Sequence, residues 1–171
     1  HLHFDHAGGG VTEKNGKLVP TFSNAKYYVQ RKNLETAQKP NIRERASYFP
    51  ANFQPLIEAE VLTILDGNIE NLLPQVSVRV SNGHTVGQQM VLVGNSTQKL
   101  LYCADVIPTS AHVRLAWIMG YDLDPLQIIA EKEQILKEAA QNKWYLFFEH
   151  DPYFEGALVI SKNGDYAVEN K

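Results

Sequence analysis

The chain has 171 residues, 44% of them hydrophobic, and a net charge of −3 at pH 7. That is enough apolar material for one globular unit with a core, and an acidic balance without a basic run argues against a nucleic-acid partner. No apolar stretch approaches the roughly 20 residues of a membrane-spanning helix, and the single cysteine, Cys103, rules out an internal disulfide.

In chain order, His1-Leu2-His3-Phe4-Asp5-His6 is followed at once by Ala7-Gly8-Gly9-Gly10, where glycine permits a tight backbone turn. Asn15-Gly16 between Val11-Thr12 and Leu18-Val19 reads as a small hairpin. Ala25 to Val29 reads as a short strand, and Arg31 to Gln38 and Ile42 to Tyr48 as short helices separated by Pro40. Val61 to Leu65, Val76 to Val80, Met90 to Val93 and Lys99 to Cys103 read as strands. Cys103 within the last of these has nothing basic beside it and reads as a buried thiol. Pro125 opens the clearest helix, Leu126 to Asn142, with Asp124 as its cap and Ile128, Ile129, Ile135 and Leu136 on its apolar face. Tyr145 to Phe148 and Leu158 to Ser161 read as strands, before the turn Asn163-Gly164.

The opening hexapeptide carries the chemistry. Imidazole and carboxylate are ligands that Zn²⁺ and similar cations accept, and four such groups stand within six residues. If the segment leaves a strand end, His1, His3 and Asp5 point to one side, and His6 turns to a second position. One short segment could then feed two metals. The interleaved Leu2 and Phe4, together with Asp5, are unlike an affinity tag. Further ligand types stand where apolar strands end: His84 after Val76 to Val80, Asp105 after Lys99 to Cys103, and His150 after Trp144 to Phe148. Strand ends are where α/β enzymes commonly build their sites.

The order H-x-H-x-D-H, then G-H-T-x-G around His84, then a strand-end Asp and a strand-end His resembles the metallo-β-lactamase-fold hydrolases over nearly the whole chain. The closest likeness within them is to the quorum-quenching N-acyl-homoserine lactonase branch. It is carried by residues 1–10, 83–89, 105–112 and 148–151. The resemblance implies an α/β fold, the αβ/βα four-layer sandwich, represented mainly from the H-x-H-x-D-H motif to the C-terminus. Residues 1–171 would then be one hydrolase domain, N-terminally incomplete, with a substrate-cap insert at about 20–58. The resemblance also implies two divalent metal ions, zinc first, with iron or manganese also suited to these donors. His1, His3 and His84 would ligate the first, Asp5, His6 and His150 the second, and Asp105 would bridge them.

The implied reaction is hydrolysis of an ester or lactone by a hydroxide shared between the metals, with Asp5 and Asp105 as the catalytic carboxylates. His112, Tyr27, Tyr48 and Phe49 are candidates to contact the substrate, the three aromatics equally suited to a core. The chain has Pro108 where well-studied lactonases carry a tyrosine near the substrate carbonyl, which loosens the substrate assignment. A glyoxalase-II-like thioesterase, another ester hydrolase and a non-catalytic metal-binding module remain the competing expectations. The expected partner is a small-molecule ester or lactone, with no nucleic acid and no membrane. A homodimer is suggested by analogy alone, and the expected location is cytoplasmic, a signal peptide being left open.

Overall fold

Alternating apolar residues and tight turns organise the chain into hairpins and short helices, which the computed structural model describes over residues 1–169. They gather into two units, His1–Gly67 and Asn68–Lys171.

In the first unit, helix α1 (Phe4–Ala7) runs into a 3-10 turn of the three glycines, Gly8–Gly10. Strands β1 (Val11–Lys14) and β2 (Lys17–Pro20) pair antiparallel. Asn15 and Gly16 both have positive φ between them, the geometry a two-residue hairpin turn needs. Strand β3 (Tyr27–Gln30) pairs in parallel with β4 (Leu62–Leu65), and helices α2 (Arg31–Gln38) and α3 (Gln54–Glu58) lie between them in sequence. Leu2, Val29, Ala37, Tyr48 and Phe53 form the core.

Two expectations fail in this unit. Asp5 does not continue the alternate series of His1 and His3, because helix α1 begins at Phe4. Ile42 to Tyr48 is a run of turns, not a helix. The Asn41 side-chain oxygen accepts from the backbone N–H groups of Arg43 and Glu44, an alternative to helical pairing that asparagine offers readily.

The second unit is built on a six-stranded sheet in the order β10-β9-β8-β7-β6-β5. Its strands are β5 (Ile69–Leu73), β6 (Val76–Ser81), β7 (Gln88–Gly94), β8 (Lys99–Tyr102), β9 (Tyr145–Phe147) and β10 (Gly156–Ala157). All neighbours are antiparallel except β8 and β9. That parallel pair needs a crossover, and helix α4 (Pro125–Asn142) lies within it. A last hairpin joins β11 (Val159–Lys162) to β12 (Asp165–Val168).

Pairing of Leu92 with Leu101 and of Leu101 with Leu146 places these side chains on one sheet face. There they pack with Ile128, Leu136 and Ala139 of α4. Asp124 caps α4 by accepting from the Gln127 N–H at 3.0 Å. Lys132 lies on the buried stripe of the helix, and its Nζ donates to the carbonyls of Arg114, Leu115 and Trp117. Burial pushes this amine down to about 8, which still leaves it charged at neutral pH. Among the described residues, no helix is long and apolar enough to cross a membrane.

Candidate metal centre

In the first unit, the Leu2 N–H donates to the Asn33 side-chain oxygen at 2.9 Å, and the Phe4 N–H to the Ser47 carbonyl at 2.8 Å. These bonds fix the backbone on both sides of His3. As a result His1 Nε2 and His3 Nδ1 lie 3.0 Å apart. Two imidazole nitrogens at that distance share a proton or flank a cation. His6 places its ring 4.1 Å from that of His1, and its Nε2 lies 3.5 Å from the Asp5 carboxylate. The other nitrogen of His3, Nε2, lies 3.8 Å from the buried Glu44 carboxylate.

Three strand ends of the second unit supply its donors. Asp105 sits in a 3-10 turn just after β8, and Ala104 before it holds a φ of 47°, a left-handed conformation that costs a non-glycine residue about 1 kcal/mol or more. Gln88, fully buried, steadies the turn. With its amide oriented by the hydrogen-bond pattern, its oxygen accepts from the N–H groups of Asp105 and Val106 at 3.1 Å each. The Asp105 carboxylate then stands between two imidazoles. Its Oδ2 is 3.0 Å from His84 Nε2 and its Oδ1 is 3.2 Å from His150 Nε2. Donor atoms of Asp105, Glu149 and His150 lie within 4.8 Å of one another. The His150 N–H donates to the Pro108 carbonyl at 3.1 Å, so Pro108 serves the site through its backbone.

His84 is the most firmly held of these groups. Glu131 of α4 accepts from Ser81 Oγ and from the N–H groups of Asn82 and Gly83. Gly83 packs so closely that a Cβ there would stand 2.5 Å from the Ile128 nitrogen, which only glycine permits. Behind the ring, Asp122 lies 3.0 Å from Nδ1. Burial, the largest influence, disfavours the imidazolium of His84, but hydrogen bonds to Asp105 and Asp122 outweigh it and hold the group above its ordinary value. Burial pushes the Cys103 thiol up, so this residue is an inert part of the core.

The proposed substrate contacts have local roles. Tyr48 is in the core of the first unit, with its ring 4.7 Å from that of His3. Tyr27 donates its hydroxyl to the Gly10 carbonyl, and Phe49, half exposed, stacks on Phe4 at 5.4 Å. His112 Nδ1 lies 2.7 Å from Thr109 Oγ1. Burial, followed by the nearby Lys132 charge, holds its imidazole below the ordinary value. Sequence reasoning missed Glu44, Gln88, Asp122, Glu131 and Glu149. Of these, Asp122 had a visible signal, an acidic residue just ahead of the Asp124-Pro125 helix start.

A model of the metallo-beta-lactamase superfamily matches residues 1–150. The chain belongs to that superfamily. An N-acyl homoserine lactonase of Bacillus cereus is 32% identical over 155 residues, covering 88% of this chain. The chain spans about half (53%) of that curated relative. A probable metal-dependent hydrolase from Staphylococcus aureus superposes with a TM-score of 0.83 at 28% identity, covering all of this chain and 61% of the other. A dizinc quorum-quenching lactonase solved with its product superposes with a TM-score of 0.80 at 23% identity, covering all of this chain and 62% of the other, a likeness of fold alone. The fold is therefore the metallo-β-lactamase fold, as its motifs implied. The donor set suits a divalent metal: imidazoles and carboxylates, with a carboxylate whose two oxygens face different histidines.

Proposed function

We propose that the chain belongs to a dinuclear metal-dependent hydrolase that opens the lactone ring of an N-acyl-homoserine lactone. The observation that carries this reading is Asp105 set between His84 and His150, one oxygen toward each. His1, His3 and His84 would hold one cation, Asp5, His6 and His150 the other, and Asp105 both. Zinc is the cation named for the dizinc structural relative. When bound, the cations supply an activated water at neutral pH and a positive field for charge that develops on the substrate carbonyl oxygen.

The remaining steps belong to the chain's own residues. Gln88 and Ala104 fix the Asp105 turn, so the carboxylate need not reorganise as the reaction proceeds. Asp5 is the more exposed of the two carboxylates, its side chain 41% accessible against 7% for Asp105. Solvent access suits it to receive a proton and return it to the leaving alkoxide. In place of the absent tyrosine, His112, half-buried beside Thr109, would orient the carbonyl, unless the metals polarise it alone. The reading goes with a cytoplasmic enzyme acting on a small diffusible substrate, and light scattering tests the homodimer.

The decisive experiment measures metal content and hydrolysis on one preparation, with a long-chain acyl-homoserine lactone and a thioester in parallel. Near two metals per chain with lactone opening is expected. Thioester cleavage alone would move the assignment to a thioesterase. A folded protein that binds metal and hydrolyses neither would be a binding module.

A further inference from the structure

The His84 turn is joined to the segment ahead of α4 by more than packing. Leu123 and Asp124 donate their N–H groups to the Gly83 carbonyl at 3.0 and 2.9 Å. Between those bonds and the imidazole stands Asp122, 4% exposed. One oxygen of its carboxylate meets His84 Nδ1 at 3.0 Å, and the other accepts from the Met119 N–H at 2.9 Å. Its own N–H donates to the Met119 carbonyl at 3.1 Å.

A buried carboxylate is costly unless its oxygens are met by donors. Here the Met119 backbone supplies one, and the imidazole faces the other oxygen. When a cation takes the side of the ring that faces Asp105, an acceptor at Nδ1 keeps the proton on that nitrogen and leaves Nε2 to give its lone pair. Nε2 is the atom that faces Asp105, at 3.0 Å. We propose that Asp122 is a positioning residue of the metal centre. It fixes the tautomer and the orientation of His84, so that Nε2 is presented as a ligand without a search among ring flips. This inference deepens the dinuclear reading and rests on it. Asp122 touches neither substrate nor reacting atoms, and it meets the proposed centre through His84.

The test compares Asp122→Ala and Asp122→Asn with the parent chain. Zinc affinity is measured by competition with a chromophoric chelator, and the His84 tautomer by long-range ¹H–¹⁵N correlation in zinc-loaded protein. Asp124→Ala serves as a control, because it loosens the same segment without removing the Nδ1 partner. Asp122→Ala should weaken zinc binding by about 10- to 100-fold, the usual effect of losing the outer partner of a ligating histidine. Asp122→Asn keeps an acceptor oxygen and should recover part of that loss. Asp124→Ala should lower the melting temperature but leave zinc affinity unchanged.

The zinc-loaded parent should show the proton on Nδ1 and the metal on Nε2, and both Asp122 variants a faster-exchanging Nδ1 proton. Parental zinc affinity in a folded Asp122→Ala variant would overturn the proposal. So would an Nε2–H tautomer in the parent, a readout that needs no variant to fold. A parent chain that binds no zinc but keeps a slowly exchanging Nδ1 proton on His84 would instead defeat the dinuclear reading and leave the Asp122–His84 link standing.

Discussion

At the scale of single residues, Asp105 has the most exacting position. It is buried, follows a strained Ala104, and has an imidazole against each oxygen. Asp105→Asn keeps the volume but removes the negative charge and replaces one carboxylate oxygen with an NH₂ donor, so the chain should lose one cation and more than about 100-fold in metal affinity, beyond the cost of an outer partner. Elemental analysis beside the lactone assay checks this, and two retained metals with full turnover would remove Asp105 from the centre. Asp151, next to His150, offers a separate test of the same strand end. Its partial burial disfavours ionisation, but hydrogen bonds from Ser110, Tyr153 and Phe154 prevail and hold it at about 2, below its ordinary 3.8. A carboxyl depressed in the folded state adds stability that is complete above the unfolded value and fades as pH falls through the folded one. Asp151→Ala should therefore be less stable than the parent at neutral pH, with the difference shrinking between 3.8 and about 2. Urea melts across that range measure it.

At the scale of elements, much of the second unit was legible because its signals are local. Val76–Ser81 and Gln88–Gly94 alternate as strands should, and Asp124 with Pro125 marks the start of α4. Strand β5 was not legible: Asn71 adopts a φ of 53° within it and the register with β6 shifts, so no period-2 pattern survives. Ile42 to Tyr48 has helix-compatible residues, yet a local competitor, the Asn41 side chain, decides its conformation. The proposed ligands could be read because hexapeptide spacing and strand ends are sequence properties. The partners of Asp122 and Glu131 could not, since they lie 38 and about 50 residues away and meet them only after α4 docks. That docking makes a prediction at Gly83. Gly83→Ala places a Cβ 2.5 Å from a backbone nitrogen of α4, which cannot rotate away. The helix start must shift, at a cost of about 1–3 kcal/mol for overpacking, and the His84 turn shifts with it. Denaturant melts and zinc titration of the same variant should both show the loss.

At the scale of the whole molecule, the ligands proposed above include residues of each unit, and that makes metal removal informative beyond activity. A cation that binds the folded chain and not the unfolded one stabilises it by about 2.7 kcal/mol when present at 100 times its dissociation constant. Chelation should remove that contribution and lower the melting temperature, and zinc should restore it. The two units can be followed separately. Both tryptophans, Trp117 and Trp144, lie after Asn68, so their fluorescence tracks the second unit alone. Hydrogen exchange resolved by peptide reports on the first unit, including Leu2, Val29 and Phe53 of its core. If His1, His3, Asp5 and His6 ligate as proposed, zinc should raise protection in residues 1–67 and the tryptophan-detected melting temperature together. If only the Asp105, Glu149 and His150 donors bind, zinc should move the tryptophan transition and leave exchange in residues 1–67 where chelation left it. That result would confine the centre to the second unit and withdraw the first four ligands from it.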